Sequence, residues 1–399
     1  MTQQTVLISG AGIAGPALAF WLQRAGFAAT LIERAPALRT GGYVIDFWGL
    51  GYDIADRMGL LRELDRVGYH VRELRIVDAG GKRVAGFGTS VFNQLTGGRY
   101  VTLARSDLSR LLYEKIADDV EVLFGEEIAE LQDEADCVRV RLRQGGERRF
   151  DLVIGADGLH SEVRRLGFGS QQQFEKRLGY AVAALEAVGY RPRDEDVYLM
   201  YGQPGRMLGR FTLHEDRALF LFVFAVGDES LPATIEQQKK LLRDRYDDRQ
   251  WESARILDTL DRAGELYFDG VSQIRMPRWS RGRIALTGDA AFCVSLLAGQ
   301  GSALAMVSAY VLAGELAGAD GRYEAAFARY EAVLRTFIEG KQRGAERFAA
   351  AFAPRTRWGL CVRNQVIRAL AIPGLARLLV RGDIVDTLRL PEYGWASSP

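Results

Sequence analysis

Three closely spaced glycines, Gly10, Gly12 and Gly15, constrain the fold of this chain more than any other feature. They follow a β-rich run, Thr5–Ser9, and open a helix-patterned segment at residues 16–25. Gly10 permits a tight turn, Gly12 lets the backbone approach a pyrophosphate, and Gly15 lets helix and strand pack closely. The spacing predicts a strand, a turn and a helix whose amino terminus faces phosphate groups.

An acidic residue, Glu33, ends the next β-rich run at residues 29–33. It lies roughly 20 residues after the glycines, where dinucleotide-binding βαβ units place a carboxylate that accepts the adenosine ribose hydroxyls. We therefore predict a dinucleotide site with Ile13, Ala14 and Arg34 as further contacts. A glycine-rich turn without a ligand is the alternative, and this unit does not distinguish NAD from FAD.

Composition narrows the range of partners. The chain has 399 residues, 48% of them hydrophobic, so it can bury a large core divided among two or three domains. Its formal net charge of +1 gives no global attraction to nucleic acid or to an acidic membrane, which favours a small-molecule partner. Its three cysteines lie far apart, which argues against a disulfide framework or a metal site and favours the cytoplasm. No apolar run predicts stable membrane insertion, and the expected assembly is a monomer or homodimer.

Two aspartates stand where buried strands are predicted to end. One apolar run ends in Asp157 and Gly158, and another ends in Gly288 and Asp289. The carboxyl ends of strands are the usual ligand positions in an open α/β sheet. Capping of the following helix is the alternative role for each aspartate.

Two further motifs open helices. Arg105 begins the first, and its planar cation is suited to bidentate binding of a phosphate or a carbonyl group. A surface salt bridge is the alternative. Residues 299–303 begin the second helix, where successive backbone amides stabilise partial negative charge.

In this order, the motifs resemble those of the class A flavoprotein aromatic hydroxylases, a family typified by para-hydroxybenzoate hydroxylase. The pattern is closest to that of the tetracycline-inactivating monooxygenases, and it extends from residue 5 to about residue 340. The resemblance implies bound FAD, with NADPH or NADH as co-substrate. It implies that Arg105 contacts FAD, that Asp289 accepts a ribityl hydroxyl, and that the amides of residues 299–303 face the flavin pyrimidine ring.

The complete set of predicted cofactor contacts is Gly10, Gly12, Ile13, Ala14, Gly15, Glu33, Arg34, Gly42, Arg105, Asp157, Gly158, Gly288, Asp289, Gly299, Gln300, Gly301, Ser302 and Ala303. Two positions depart from the family pattern. Where the family usually has a histidine and then a proline near the flavin, this chain has Phe292 and Leu296. We expect these two residues and Leu297 to face the reaction chamber, with plain core packing as the alternative.

The stretch between the two aspartate motifs predicts an inserted antiparallel sheet. Its strand-like runs are residues 179–188, 197–201, 206–213 and 219–226. Phe220, Phe222 and Phe224 would share one face of the last strand, which either floors a pocket for a planar substrate or packs on a helix. Family members run the stretch after the ribose acid past the flavin ring. The predicted substrate contacts are Asp46, Trp48, Tyr201, Arg210, Phe222, Phe224 and Leu296.

The predicted fold is α/β, with a discontinuous Rossmann-type FAD-binding domain of βαβ units at residues 1–170 and 270–320. An inserted antiparallel β-sheet substrate domain takes residues 171–269, and a C-terminal helical segment takes residues 321–399. Helices are expected at residues 323–352 and 358–379, closing the substrate domain. Contact with a membrane surface is the alternative for the last of them.

The resemblance implies an FAD-dependent monooxygenase that hydroxylates an aromatic or polycyclic small molecule through a flavin hydroperoxide, in keeping with secondary metabolism. The cofactor carries this chemistry, so no catalytic side chain and no metal are predicted. Two alternatives stay open. One is an FAD-dependent reductase, dehydrogenase or halogenase-like enzyme, and the other is a flavin-bearing protein that binds a ligand without catalysis.

Overall fold

The first βαβ unit forms where the glycine spacing predicts it. Strand Thr5–Ser9, helix Ala14–Arg24 and strand Ala28–Glu33 follow one another, and the two strands pair in parallel. The computed structural model describes residues 3–39, 43–88, 91, 93, 96–227, 230–372 and 386–395.

The strands of these residues are β1 Thr5–Ser9, β2 Ala28–Glu33, β3 Val44–Trp48, β4 Glu73–Val77, β5 Arg83–Gly88, β6 Tyr100–Ala104, β7 Glu121–Phe124, β8 Ile128–Asp133, β9 Val138–Leu142, β10 Glu147–Phe150, β11 Leu152–Gly155, β12 Glu175–Val188, β13 Val197–Gln203, β14 Arg206–Thr212, β15 Arg217–Ala225, β16 Tyr267–Ile274, β17 Ser280–Arg281 and β18 Ile284–Leu286. The helices are α1 Ala14–Arg24, α2 Leu50–Arg57, α3 Leu61–Val67, α4 Arg105–Glu114, α5 Glu162–Gly167, α6 Ile235–Tyr246, α7 Ser253–Thr259, α8 Asp289–Phe292, α9 Gly301–Ala317, α10 Tyr323–Phe352 and α11 Arg357–Leu370.

A six-stranded sheet carries the βαβ unit, in the order β17–β18–β11–β1–β2–β7. Strand β1 pairs in parallel with β2 on one side and β11 on the other, and β18 and β7 extend the parallel part. Parallel strands end at the same edge of a sheet, so the loops after β1, β2, β11 and β18 meet there. The Rossmann-type arrangement predicted from the sequence is confirmed.

A seven-stranded sheet, in the order β16–β12–β15–β14–β13–β4–β5, contains the predicted inserted strands. Its outer strands β4 and β5 come from the stretch assigned by sequence to the FAD-binding domain. They belong here because β4 pairs in parallel with β13, with Glu73 opposite Val197. This pairing gives the backbone N–H and C=O groups of β4 their hydrogen-bond partners. The local sequence does not indicate which strand supplies those partners.

The C-terminal part is helical, as predicted. Helix α10 has the predicted bounds, Tyr323–Phe352, while α11 ends at Leu370. Residues 373–379, also predicted as helix, lie outside the described residues. Within the described ranges, none of the helices combines the length and the apolar character needed to cross a bilayer.

The final described residues, 386–395, return to the first sheet's helices. Asp386 accepts a hydrogen bond of 2.9 Å from the Leu50 amide at the start of α2 and pairs with Lys341 at 2.7 Å. The Trp395 ring lies 4.7 Å from the Trp21 ring on α1. This C-terminal strap therefore joins α1, α2 and α10.

Candidate active site

The glycine loop packs tightly against the end of β11. Gly10 has a φ of +107°, and a Cβ at this position would lie 2.6 Å from the Ala156 carbonyl oxygen. A Cβ on Gly15 would collide with the Gly10 carbonyl oxygen and lie 3.1 Å from Leu31 Cδ1. Glycine is therefore required at both positions for α1 to approach β1 and β2. Ile13 and Ala14, which complete the loop, are buried.

Gly12 differs from these two glycines because its open side faces a cation. A Cβ at Gly12 would meet one described atom within 4 Å, Nη2 of Arg105 at 3.4 Å. Both residues are linked through α4, since Ser109 donates a hydrogen bond of 3.0 Å to the Gly12 carbonyl. Among the described residues, the Arg105 guanidinium has no hydrogen bond or salt bridge of its own. A cation thus stands over the glycine loop, available to an anionic ligand.

The Glu33 carboxylate lies at the same edge and links two backbone turns. Its Oε2 accepts a hydrogen bond of 2.9 Å from Ala11 N, and its Oε1 accepts one of 3.0 Å from Ala35 N. A carboxylate has about four acceptor sites, so both oxygens keep capacity for hydroxyl donors. Arg34 beside it is exposed, and Gly42 lies outside the described residues.

Gly288 and Asp289 follow β18 and lie against the start of α1. Gly288 has a φ of +60°, and its Cβ would lie 3.1 Å from that of Ala14. The Asp289 carboxylate oxygens are 3.7 and 3.9 Å from the Cβ position of Gly301, the first residue of α9. Burial raises the pKa of Asp289 above its ordinary value, and the Arg105 guanidinium opposes the shift. The Cys293 thiol is its hydrogen-bond neighbour, and no backbone amide of the described residues donates to it, so the carboxylate keeps capacity for a ligand donor.

The turn before α9 brings the second glycine motif to this place. Gly299 has a φ of +66°, and its Cβ position is 3.9 Å from the Trp48 ring. Gln300 is the N-cap residue of α9, whose 17 residues are almost all buried. The first turn of α9 contains the remaining predicted contacts, Gly301, Ser302 and Ala303. The partial positive charge of this helix end adds to that of Arg105.

The Asp157 carboxylate makes its hydrogen bonds within the protein rather than facing an open site. Its carboxylate accepts hydrogen bonds from Ser161 Oγ at 2.5 Å, Glu162 N at 2.8 Å and Val163 N at 3.0 Å. These bonds cap α5, the alternative that the sequence left open. The side chain therefore has little capacity left for a cofactor, although the turn at Gly158, with a φ of +77°, stays beside the glycine loop.

Asp46 on β3 collects three hydroxyl groups on one oxygen. Its Oδ1 accepts hydrogen bonds from Thr102 at 2.7 Å, Tyr100 at 2.8 Å and Tyr198 at 3.1 Å. Burial raises the pKa of Asp46, and the three hydrogen bonds oppose that shift. Its Oδ2 makes no hydrogen bond in the described structure. A small cavity beside it is lined by Asp46, Trp48, Leu50, Gly299, Gln300 and Ala303.

The sequence does not single out the three partners of Asp46. Tyr100 and Thr102 lie 54 and 56 residues away on β6, and Tyr198 lies 152 residues away on β13. Pairing of β3 with β6 puts Thr102 opposite Asp46, and the seven-stranded sheet supplies Tyr198. No local pattern connects such distant positions.

Phe222 and Phe224 do not contact the chamber, contrary to the prediction. Together with Phe220 they lie on the sheet face that is covered by α6 and α7, in a buried cluster with Leu242 and Tyr246. The structure therefore supports the alternative that this face packs on helices.

Tyr201 and Arg210 share the helix-covered face, so their prediction as substrate contacts is also wrong. Strand register places Arg210 opposite Phe220, and its side chain is 3% exposed. Its guanidinium is paired with Asp194 at 2.7 Å and Glu252 at 3.2 Å. Tyr201 donates a hydrogen bond of 2.6 Å to Gln250. These partners hold both side chains within the fold.

The opposite face of the sheet turns toward the second glycine motif. Leu221 and Val223, which alternate with the phenylalanines, pack in one cluster with Leu296 and Leu297. The side chains of β15 on this face are therefore those next to the phenylalanines in sequence, because successive side chains of a strand point to opposite faces. Phe292 is not part of it: the residue is 2% exposed and packs on Trp279 in the core.

Comparison with known proteins shows the family to which the chain belongs. The family model described as an FAD binding domain matches residues 3–332. The chain belongs to this FAD-binding family. The FAD-binding resemblance predicted from the sequence motifs is confirmed.

Relatives of this FAD-binding chain cover almost its full length. A protein from Mycobacterium tuberculosis (strain ATCC 25618 / H37Rv) is 41% identical over 346 residues, which is 85% of this chain and 92% of that protein. A flavin-dependent monooxygenase from Legionella longbeachae is 32% identical, covering 97% of this chain and 98% of the relative. The crystal structure of the tetracycline destructase Tet(51) superposes with a TM-score of 0.84 at 30% identity, covering 98% and 100% of the two chains. The chain is an FAD-dependent monooxygenase and therefore an oxidoreductase.

The described residues fit an FAD. Arg105 and the amides of the glycine loop suit the pyrophosphate, Glu33 suits the adenosine ribose, and Asp289 beside α9 suits the ribityl chain. The cradle is open where a ligand must enter, since a Cβ on Gly12 would meet only the Arg105 guanidinium. The assignment of each residue to a part of the cofactor is part of the proposal below.

Glu33→Gln is expected to weaken FAD binding by roughly tenfold, because a hydrogen bond to a charged acceptor contributes ~1.5–3 kcal/mol. The single glutamine oxygen can keep the hydrogen bond from the Ala11 amide, so the glycine loop keeps its contact, whereas the bond from the Ala35 amide is lost. Flavin fluorescence titration of the apoprotein measures the change. Glu121→Gln is the matched control, because that carboxylate pairs with Arg148 on β10. Equal affinity of the Glu33 and Glu121 variants would remove Glu33 from the site.

Proposed function

We propose that this FAD-dependent monooxygenase uses NADPH or NADH and O2 to hydroxylate an aromatic or polycyclic small molecule. One observation carries the proposal: Arg105, which has no ion pair among the described residues, lies near Asp289 and the amino terminus of α9. All three lie beside an apolar sheet face. FAD bound there supplies the electron transfer and the oxygen chemistry. The likeness to a tetracycline destructase supports a substrate with fused rings.

At the cofactor end of the site, we assign the binding of FAD to groups that carry a full or partial charge. Arg105 and the glycine-loop amides bind the pyrophosphate, while Asp289 orients the ribityl chain. The amino terminus of α9 stabilises negative charge that develops on the flavin pyrimidine ring during reduction. None of these groups has to form a covalent bond.

The apolar sheet face forms the substrate end. Leu221, Leu296 and Leu297 exclude water from the reacting ring, and Trp48 closes the cavity beside Gly299. A dry chamber protects reactive intermediates from water and strengthens electrostatic contacts. Asp46, which also lines that cavity, supplies a polar contact for the substrate.

The proposal includes a cytoplasmic location, which the free thiols of Cys137, Cys293 and Cys361 support, since a reducing compartment preserves thiols. It also includes a monomeric or homodimeric assembly.

Substrate-stimulated oxidation of NADPH and NADH tests the function. The purified yellow protein is mixed with phenols, hydroxylated polycycles and tetracycline, and NAD(P)H loss, product and peroxide are measured together. We expect at least one ring compound to accelerate NAD(P)H oxidation and to yield product with one added oxygen atom. Stimulation that yields only reduced product would indicate a reductase. Bound FAD without stimulation by any compound would indicate a ligand-binding flavoprotein.

A further inference from the structure

The chamber face of β13 carries polar groups at two separated points. Alternation puts Tyr198, Met200 and Gly202 on this face, and all three are only half-buried, whereas Leu199 and Tyr201 between them are buried on the opposite face. Tyr198 donates its hydroxyl to Asp46 at one end of the face. Gly202 lies at the other end.

Arg363 of α11 occupies the end marked by Gly202. A Cβ on Gly202 would lie 3.0 Å from both terminal nitrogens of the Arg363 guanidinium, so the absent side chain makes room for the cation. Arg363 donates to the Phe352 carbonyl at 3.3 Å and to Asn364 Oδ1 at 2.9 Å, both neutral. Phe352 itself packs in the chamber cluster with Met200.

This cation is partly buried, and its hydrogen bonds go only to neutral oxygens. No carboxylate lies within ion-pairing distance of Arg363 anywhere in the described ranges. Burial lowers the pKa of Arg363 to about 10, so the side chain is still charged at neutral pH. By contrast, the buried Arg210 on the helix-covered face has two carboxylate partners. A partly buried cation that has only neutral partners within the protein can take an anionic ligand as its counter-charge.

We propose that the chamber is polarised along β13: Arg363 binds an anionic group of the substrate, and Asp46 accepts a hydroxyl at the other end. Tyr198 and Gly202 are four residues apart, which corresponds to about 13 Å along a strand. The side chains between them are apolar, with Met200, Met207 and Leu221 in the same cluster. The substrate is therefore an elongated ring system with a hydroxyl near one end and a carboxylate or enolate near the other. This inference rests on the proposed function and narrows its substrate class.

Matched rigid probes test both ends in the FAD-loaded protein. The first is a hydroxybiphenyl carboxylate with its groups at opposite para positions, and the others are hydroxybiphenyl and biphenyl carboxylate, each lacking one group. Dissociation constants are measured by calorimetry and by the absorbance change of bound flavin. We expect the wild type to bind the bifunctional probe about tenfold tighter than hydroxybiphenyl, as a charge-assisted hydrogen bond provides.

Arg363→Gln should abolish the preference for the carboxylate and keep that for the hydroxyl, and Asp46→Asn should do the opposite. Arg368→Gln is the matched control on the same helix, where the arginine is exposed and donates to the Val84 carbonyl; it should keep both preferences. If Arg363→Gln does not fold, Gly202→Ala displaces the guanidinium without removing it and should lose the same preference.

The possible outcomes separate the two proposals. Equal binding of all three probes to the wild type, or no binding of any, would overturn the polarised chamber. A preference for the carboxylate that survives in Arg363→Gln would also overturn it. Failure of the proposed function shows instead as absence of NAD(P)H oxidation with every ring compound, whichever probe binds.

Discussion

Gly12→Val should give a folded protein that no longer retains FAD. Among the described residues, the valine Cβ would meet only Nη2 of Arg105, the end of a flexible side chain, at 3.4 Å, so the valine has room in the apoprotein. It would, however, occupy the space of the pyrophosphate and displace the cation that stands over the loop. We expect FAD affinity to fall by at least about 100-fold, equivalent to ~2.7 kcal/mol.

Two glycine variants make this result specific. Gly264→Val is the matched control, since a Cβ there meets nothing within 4 Å and the position lies far along the chain. It should keep stoichiometric FAD. Gly10→Val, by contrast, should destabilise the apoprotein itself, because φ is +107° and the Ala156 carbonyl oxygen would lie 2.6 Å from its Cβ. Absorbance of the purified variants and thermal unfolding of their apoproteins distinguish the three. Stoichiometric flavin in Gly12→Val would refute the loop's role.

Asp289→Ala should separate cofactor binding from stability. The carboxylate caps no amide in the described structure and lies next to the first residue of α9. Loss of its bond to a ribityl hydroxyl should reduce FAD affinity by roughly 10- to 100-fold, since hydrogen bonds to charged groups contribute ~1.5–3 kcal/mol. The apoprotein should not lose stability.

The raised pKa of Asp289 determines whether the Asp289→Ala substitution stabilises or destabilises the apoprotein. Because burial raises the pKa in the folded protein, the stabilising contribution of the protonated acid is complete below the unfolded pKa and is lost as pH rises through the folded pKa. At neutral pH, the ionised group therefore costs the apoprotein stability. We expect the apoprotein of Asp289→Ala to be at least as stable as wild type at neutral pH, with an advantage that disappears on acidification.

Asp157→Ala is the matched control, because this aspartate also ends a strand at the same sheet edge but caps α5. It should cost about 1 kcal/mol of stability and leave FAD affinity nearly unchanged. Thermal unfolding of the apoproteins and FAD titration are measured for both variants. If Asp289→Ala behaved like Asp157→Ala, the carboxylate of Asp289 would be a helix cap and the assigned ribityl contact would be lost.

The sequence alone determined the parts of this protein that depend on short-range geometry. A glycine with positive φ, a strand of five residues and an acid at the end of the next strand are all encoded within about 30 residues, and Gly10, Gly15 and Glu33 lie where such a unit requires them. The bounds of α10 were also predicted from the sequence. Even the family could be inferred, since its motifs are local.

Only the tertiary structure decided which side of the second sheet packs on helices. Alternation groups Phe222 with Phe224 and separates both from Leu221, but it does not say which set faces the helices. Packing on α6 and α7 settled that question. The partners of Asp46 and the isolation of Arg363 were likewise beyond local patterns, because they depend on chain segments more than 50 residues apart. A motif fixes the backbone around a cofactor, whereas the contacts that select a substrate arise where distant elements meet.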